Sequence, residues 1–324
     1  MANPLAVDHW EGTGVRASDV SAALADLRHR SRDATSPRTA VMTLVAVAGD
    51  EERASTASSV LRTLSSHHPA RLVILRPDAD AVASLDARAA LFSTERGGHE
   101  VNFEEIELQV CGQAARHLDS LAEAFTISDL PVATWYVQAI PEISDPLLGI
   151  STAVLVDSRD GAGPGLLRGL LDLSRQHRVV DLSWMRLKPY RRLLATLFSE
   201  PSTRPWLDGI ESVTVWGKAG PRHILGGWMI AQLGLPARQV RLHDDRHVRI
   251  QIECALHGET ASFEVTRGPE RTLEARANLP DRTCPPQHAR LAEDALGAAL
   301  ADALLHLEAD PVWQRALSAA TLLD

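Results

Sequence analysis

The residues of this chain best suited to recognition chemistry lie between positions 175 and 192. Arg175, Arg178, Arg186, Lys188, Arg191 and Arg192 stand against one acid, Asp181, for a local charge of +5. Trp184 and Tyr190 are interleaved with them. Guanidinium forks match carboxylates and phosphates, and Arg beside Trp or Tyr is the composition of interface hot spots. The same residues suit a plainer role, a domain-junction helix whose arginine stems lie along apolar neighbours. Both readings are open from the residues alone.

Other candidate sites are weaker. The first strand-to-helix turn reads Gly49, Asp50, Glu51, Glu52. Its carboxylates sit at the positive end of a helix dipole, where a dinucleotide site needs glycines and free N–H groups. A second turn carries Gly161, Gly163 and Gly165, but Leu166 stands where a third fingerprint glycine belongs and no Gly-Lys-Ser/Thr follows. With Arg159 and Arg168 it would hold an anion; otherwise it is a flexible connection. His243 and His247 have metal-ligand spacing around Asp244 and Asp245, yet their neighbours read as strand ends at a turn. His67 and His68 suit the C-terminal end of a helix dipole. No nucleophile elbow appears, and Cys111, Cys254 and Cys284 are isolated. The expectation is therefore no catalytic residue, no metal and no cofactor.

The elements that must position these groups change character along the chain. Ala40 to Ala48 is a Val-rich run of the kind buried in a parallel sheet, Asp50 caps a helix through about Ser66, and Arg71 to Leu75 completes a βαβ unit. Ile106, Leu108 and Val110 alternate with Glu105, Glu107 and Gln109, predicting a strand with one wet face. Ala114, Leu118, Leu121 and Phe125 share a helix stripe. Strands at Val132 to Val137 and Thr152 to Val156 and a helix at Leu166 to His177 continue the alternation. Pro189 suits the first turn of a helix from Tyr190 to Phe198. Farther on, Val248 to Leu256 alternates, Gly258 and Glu259 turn into a partner at Ser262 to Thr266, and Leu273, Ala275 and Ala277 mark a third strand. Helices at about 286–308 and 311–322 would cover one face of this meander.

The fold class expected is an N-terminal Rossmann-like α/β sandwich with a mostly parallel sheet, residues 1–178. A C-terminal α+β domain with an antiparallel meander and helices follows, residues 179–324. The boundary lies near 176–180, without a Pro/Gly/Ser-rich linker to mark it.

Composition bounds the partners. The 324 residues carry 33 Lys and Arg against 42 Asp and Glu, a net charge of −9, so phosphate backbones and anionic lipids are repelled. The longest stretch free of Asp, Glu, Lys and Arg, His223 to Ala237, is too short to span a membrane, and no basic-then-apolar leader opens the chain. A cytoplasmic protein without nucleic-acid or membrane partners is expected. Five of the seven Trp residues fall between Trp135 and Trp228.

The stretch Asp181-Leu182-Ser183-Trp184-Met185-Arg186-Leu187-Lys188-Pro189-Tyr190-Arg191 resembles the signature of the OpcA family, the glucose-6-phosphate dehydrogenase assembly proteins. Family members typically read Asp-Leu-Asn-Trp-Thr-Arg-Leu-Thr-Pro-Trp-Arg there. Thr43-Leu44-Val45, Asp129-Leu130-Pro131-Val132 before Trp135, Val156-Asp157-Ser158, and Gly226-Gly227-Trp228-Met229 through Gln232-Leu233-Gly234 are similar to further family stretches in the same order. This chain departs from the family pattern at Ser183, Tyr190 and Gln232. The resemblance implies a non-catalytic accessory protein that binds glucose-6-phosphate dehydrogenase and promotes its assembly or allosteric activation. The partner-binding residues expected are Trp184, Arg186, Lys188, Tyr190, Arg191, Arg192 and Trp228, as the contact or as its support. The alternative is a sugar-phosphate- or nucleotide-binding sensor or enzyme using the Gly161–Gly165 turn and the Arg-rich segment.

Overall fold

The computed structural model describes residues 5–30, 40–65, 70–96, 99–160 and 164–323. It divides into two units. The first comprises Met1–Val156, His177–Val179 and Leu304–Leu307; the second comprises Asp157–Gln176, Val180–Ala303 and Glu308–Asp324.

The first unit opens with β1 (Leu5–Gly12) and α1 (Ala17–Arg30), then β2 (Met42–Val47), α2 (Glu51–Ser65) and β3 (Ala70–Asp78). β4 (Leu85–Arg96), β5 (His99–Cys111), α3 (Leu118–Glu123), β6 (Val132–Tyr136) and β7 (Ala153–Val156) follow. The Val-rich β2 pairs parallel with both β3 and β6, Val45 lying opposite Val73 on one side and Thr134 on the other. A strand enclosed this way has no wet edge, which is why its residues read as a continuous apolar run. The sheet order is β1-β4-β5-β3-β2-β6-β7-β8, where β8 (Val179–Asp181) takes the far edge from Val179; the Val154 N–H donates to the Arg178 carbonyl at 2.8 Å. Leaving out β1 and the antiparallel β4, the remaining strands run 3-2-1-4-5-6, the order of a dinucleotide-binding sheet.

Two local expectations differ from what is found. The carboxylate face of β5 is only partly wet: Glu107 and Gln109 are half-buried, and Glu105 is 2 % exposed, accepting from the Ser58 hydroxyl at 3.1 Å and from the Arg62 Nε at 2.8 Å, both on α2. Glu104 pairs with Arg28 of α1 at 2.6 Å and Arg71 of β3 at 2.9 Å. The arginines hold Glu104 below the usual carboxylate range despite its burial. Glu104 lies on the other face, with Ile106 and Leu108, so each face of β5 buries a carboxylate; Arg62, which covers Glu105, lies 43 residues away and Arg76, which reaches Glu107, lies 31 away. The helix stripe around Ala114 is also broken, into a 3₁₀ turn at Gly112–Arg116 and the short α3.

The second unit holds α4 (Pro164–Gln176), α5 (Leu182–Arg186), α6 (Lys188–Leu197), β9 (Ile210–Gly217), α7 (Ala219–Leu233), β10 (Val240–Asp244), β11 (Arg249–Leu256), β12 (Glu259–Arg267) and β13 (Thr272–Asn278). β14 (Gln287–Arg290), α8 (Ala295–Leu305) and α9 (Pro311–Ala320) complete it. Its six-stranded sheet has the order β10-β9-β11-β12-β13-β14; β10 and β9 are parallel and the other pairs antiparallel. His257 and Gly258, both with φ above +50°, form the hairpin turn between β11 and β12, as the Gly-containing loop predicts. Ile250, Ile252, Phe263, Val265, Leu273 and Ala275 are fully buried on one sheet face.

That face is covered differently from the expectation. α6 packs on β12, β13 and β14, with Phe198 just after α6 against Phe263 at 4.5 Å, and α7 packs on β9 and β10. The start of the expected helix at 286–308 is instead the edge strand β14, whose alternating Gln287, His288, Ala289 and Arg290 extend the meander. Only from Ala295 does an apolar, Ala-rich run support a helix.

Candidate functional site

The signature segment is built into a buried polar network. Asp181 caps α5, its Oδ1 accepting from the Ser183 N–H at 2.9 Å and the Ser158 N–H at 3.1 Å, while Oδ2 accepts from the Ser158 hydroxyl at 2.8 Å. Asp157 accepts from the Ser183 hydroxyl at 2.8 Å and from the Arg186 guanidinium. Thus the Val-Asp-Ser stretch and the Asp-Leu-Ser-Trp-Met-Arg stretch, separate in sequence, are each other's hydrogen-bond partners. α7 begins against the same turn, with Gly220 so close to the Ser158 carbonyl that a Cβ would lie 1.8 Å from its oxygen.

Asp181 is 1 % exposed, and burial, reinforced by the Asp157 charge, raises it from the ordinary 3.8 to about 6 against the opposing serine hydrogen bonds. A carboxyl that holds its proton longer when folded favours folding at low pH, and that contribution is lost as pH rises from about 4 through about 6. Asp181→Asn keeps an acceptor for both backbone N–H groups and lets the Ser158 hydroxyl turn to accept. The variant is expected to match or exceed wild-type stability at about pH 7.5 and to show a flatter stability slope between about pH 4 and 6. Urea titrations across that range check this; parallel slopes for the two proteins would contradict it.

Trp184, 2 % exposed, donates from Nε1 to Asp310 Oδ2 at 2.7 Å. Asp310 Oδ1 at the same time caps α9, accepting from the N–H groups of Val312 at 2.8 Å and Trp313 at 3.1 Å. Arg191 stacks over the Trp184 ring at 3.2 Å and donates to the Trp184 carbonyl at 2.7 Å. Burial lowers Arg191 to about 10, which leaves it charged at neutral pH. Tyr190, 7 % exposed, is raised to about 12 by the same cause. One carboxylate therefore ties the signature to the C-terminal helix.

Beside this network lies a cleft of about 620 Å³, contained in the second unit. Its floor includes Leu187, Pro189, Tyr190 and Leu193, and its walls come from α6, α8, β14 and the turns around Arg246 and Arg271. Nine cationic side chains line it against two carboxylates, Glu293 and Asp302. Lys188 donates to Asp302 at 2.7 Å and Arg271 pairs with Glu293 at 3.0 Å. The structure thus brings Arg186, Lys188, Tyr190 and Arg192 to one cleft, whereas Trp184, Arg191 and Trp228 are not among its lining residues. Trp228 is half-buried on α7.

The remaining candidates have local explanations or fall outside the description. Gly161 and Gly163 lie outside the described residues, as do His67 and His68, while Gly165 is inside α4. At the first strand-to-helix turn Asp50 accepts from the Arg53 N–H at 2.8 Å and Glu51 pairs with Arg76, so acidic side chains occupy the start of α2. His243 stacks on Trp216 at 5.7 Å, Asp244 pairs with Arg222 at 2.6 Å, and the Arg267 guanidinium lies 3.3 Å from His247 Nδ1. Among the described residues no group of three or more His, Cys, Asp or Glu side chains could hold a metal ion, and no helix is long and apolar enough to cross a membrane.

Sequence reasoning missed the far wall of the cleft, Arg246, Arg267, Arg271 and Arg290, because these arginines are scattered over 45 residues of turns and strand ends. It also missed Asp310, although Asp before Pro311 is a readable helix start.

Two family models match in chain order: the glucose-6-phosphate dehydrogenase subunit N-terminal domain at residues 61–169 and the C-terminal domain of the same subunit at residues 177–317. No curated protein matches. Among solved structures, KijD10, a 3-ketoreductase from Actinomadura kijaniata in complex with NADP and TDP-benzene, is 15 % identical with a TM-score of 0.49, covering 86 % of this chain and 95 % of that one. Glucose-6-phosphate 1-dehydrogenase from Mycobacterium avium is 10 % identical with a TM-score of 0.48, covering 87 % and 90 %. The two family models between them take in the signature, its Val-Asp-Ser partner and the α7 glycines, and the chain belongs to the OpcA family of glucose-6-phosphate dehydrogenase assembly proteins.

Proposed function

We propose that this chain is a non-catalytic, cytoplasmic accessory protein that binds glucose-6-phosphate dehydrogenase and favours its assembled, active state in the oxidative pentose phosphate pathway. The observation that carries the reading is the pair of matched subunit domains, which together span the signature network. Energetically, such a protein must bind the active state of the enzyme more tightly than the inactive one, since equal affinity shifts nothing.

The burial pattern divides the roles of the signature. Trp184, Arg186, Tyr190 and Arg191 hold the segment in shape, Arg186 through its pair with Asp157, and Lys188 and Arg192 present charge, with Arg192 the more exposed of the two. Trp228 adds a half-buried aromatic on α7. An acidic surface on the enzyme complements this set.

The test is dehydrogenase kinetics and complex mass with and without the protein. Wild type is expected to raise kcat or lower substrate KM and to shift the enzyme to a larger assembly. Arg192→Glu, a charge reversal at an exposed site, is expected to slow association by about tenfold without altering the fold. Unchanged kcat, KM and mass on adding wild type would rule the reading out.

A further inference from the structure

We infer that the cationic cleft of the second unit binds a small organic polyphosphate of the nucleoside di- or triphosphate class. The chain as a whole is acidic at −9, yet nine cations gather around one concavity that contains only two carboxylates. Both of those acids already pair with lining cations, Asp302 with Lys188 and Glu293 with Arg271. Arg186 is compensated from outside the lining by Asp157.

Five arginines remain without a carboxylate within ion-pair distance among the described residues: Arg159 in the 3₁₀ turn at Ser158–Asp160, Arg192 on α6, Arg246 between β10 and β11, Arg267 at the end of β12 and Arg290 on β14. They come from five separate elements, so no local helix or strand pattern accounts for their meeting. Like charges brought to one concavity repel, and the repulsion is relieved by an anion seated among them. Guanidinium forks bind phosphate oxygens in pairs, and a ligand with three or four negative charges suits a set of this size.

The floor selects the rest of the ligand. Leu187, Pro189, Tyr190, Leu193, Val248 and Leu291 offer an apolar bed, which an inorganic anion cannot use and a planar base can. The volume, about 620 Å³, falls in the usual range of small-molecule pockets. A nucleic-acid strand is disfavoured because beyond the cleft it meets an acidic protein.

This inference does not rest on the dehydrogenase reading, because its test uses the isolated chain. Calorimetry with ATP is expected to show one saturable site whose affinity falls as salt rises. Inorganic tripolyphosphate, lacking the ring, is expected to bind about tenfold more weakly or worse. The double variant Arg246→Ala, Arg290→Ala removes two exposed side chains that have no carboxylate partner and is expected to weaken ATP by at least about tenfold. Circular dichroism matched to wild type confirms that its fold is kept.

Absence of saturable ATP binding by wild type would overturn the inference, as would tripolyphosphate binding as tightly as ATP. So would ATP affinity unchanged in the double variant. Weaker association of the double variant with the dehydrogenase, in a protein that binds no ATP, would assign the cleft to an acidic segment of the partner instead.

Discussion

Arg186→Ala is expected to destabilise the second unit by about 2–4 kcal/mol, lowering its unfolding midpoint by roughly 5–15 °C. Both members of the Arg186–Asp157 pair are less than a fifth exposed, and Asp157 lies beside a second carboxylate, the fully buried Asp181. Arginine is the cation that makes this cluster tolerable. Its removal leaves Asp157 desolvated and facing Asp181, and an orphaned buried charge costs more than the intact pair contributes. The double variant Arg186→Ala, Asp157→Ala should therefore be more stable than Arg186→Ala alone. Arg175→Ala provides the contrast: its pair with Asp172 is more than half exposed on both sides and should change stability little. Thermal unfolding of the four proteins checks the ordering. An Arg186→Ala midpoint equal to that of Arg175→Ala would show that the network carries no such strain.

The contrast between these two arginines also shows what could be read before folding. Both belong to the basic run at 175–192, and composition treats them alike. Strand and helix identities were legible because each is written locally: the apolar run of β2, the alternation of β11 and Pro189 in the first turn of α6 all need only neighbours in sequence. The purpose of a charge is not local. Arg186 meets Asp157 29 residues away, Lys188 meets Asp302 across 114, and Trp184 meets Asp310 across 126. For the same reason Glu105 read as solvent-facing until Arg62 and Ser58 were brought over it. The candidate site was half legible: the α6 wall of the cleft is a dense motif, and the opposite wall is assembled from single arginines on separate turns.

Gly227→Ala is expected to be among the more damaging small substitutions in the second unit. A Cβ at this position of α7 would sit 2.2 Å from the Ala316 carbonyl oxygen, 2.5 Å from the Ala320 nitrogen and 2.8 Å from the Ala320 Cβ. Two of these three neighbours are backbone atoms, so no rotamer change relieves the overlap and α9 itself must withdraw. Overpacking of this kind costs about 1–3 kcal/mol, and here the shift also pulls on the helix whose N-cap, Asp310, holds the Trp184 indole. Loss of that hydrogen bond leaves a buried N–H unpaired, so a total of about 3 kcal/mol or more is expected. Gly169→Ala on α4 is the same chemical change with the opposite outcome. No atom lies within 4 Å of its would-be Cβ, and an exposed helical glycine replaced by alanine gains about 0.5–1 kcal/mol from the unfolded chain's lost freedom. Denaturant midpoints should thus move in opposite directions for the two variants, and near-ultraviolet circular dichroism should change only for Gly227→Ala, where Trp184 and Trp313 are disturbed. If Gly227→Ala instead stabilised the chain as Gly169→Ala does, the close approach of α7 and α9 would not be what that glycine provides, and the tie from α9 back to the signature would lose its support.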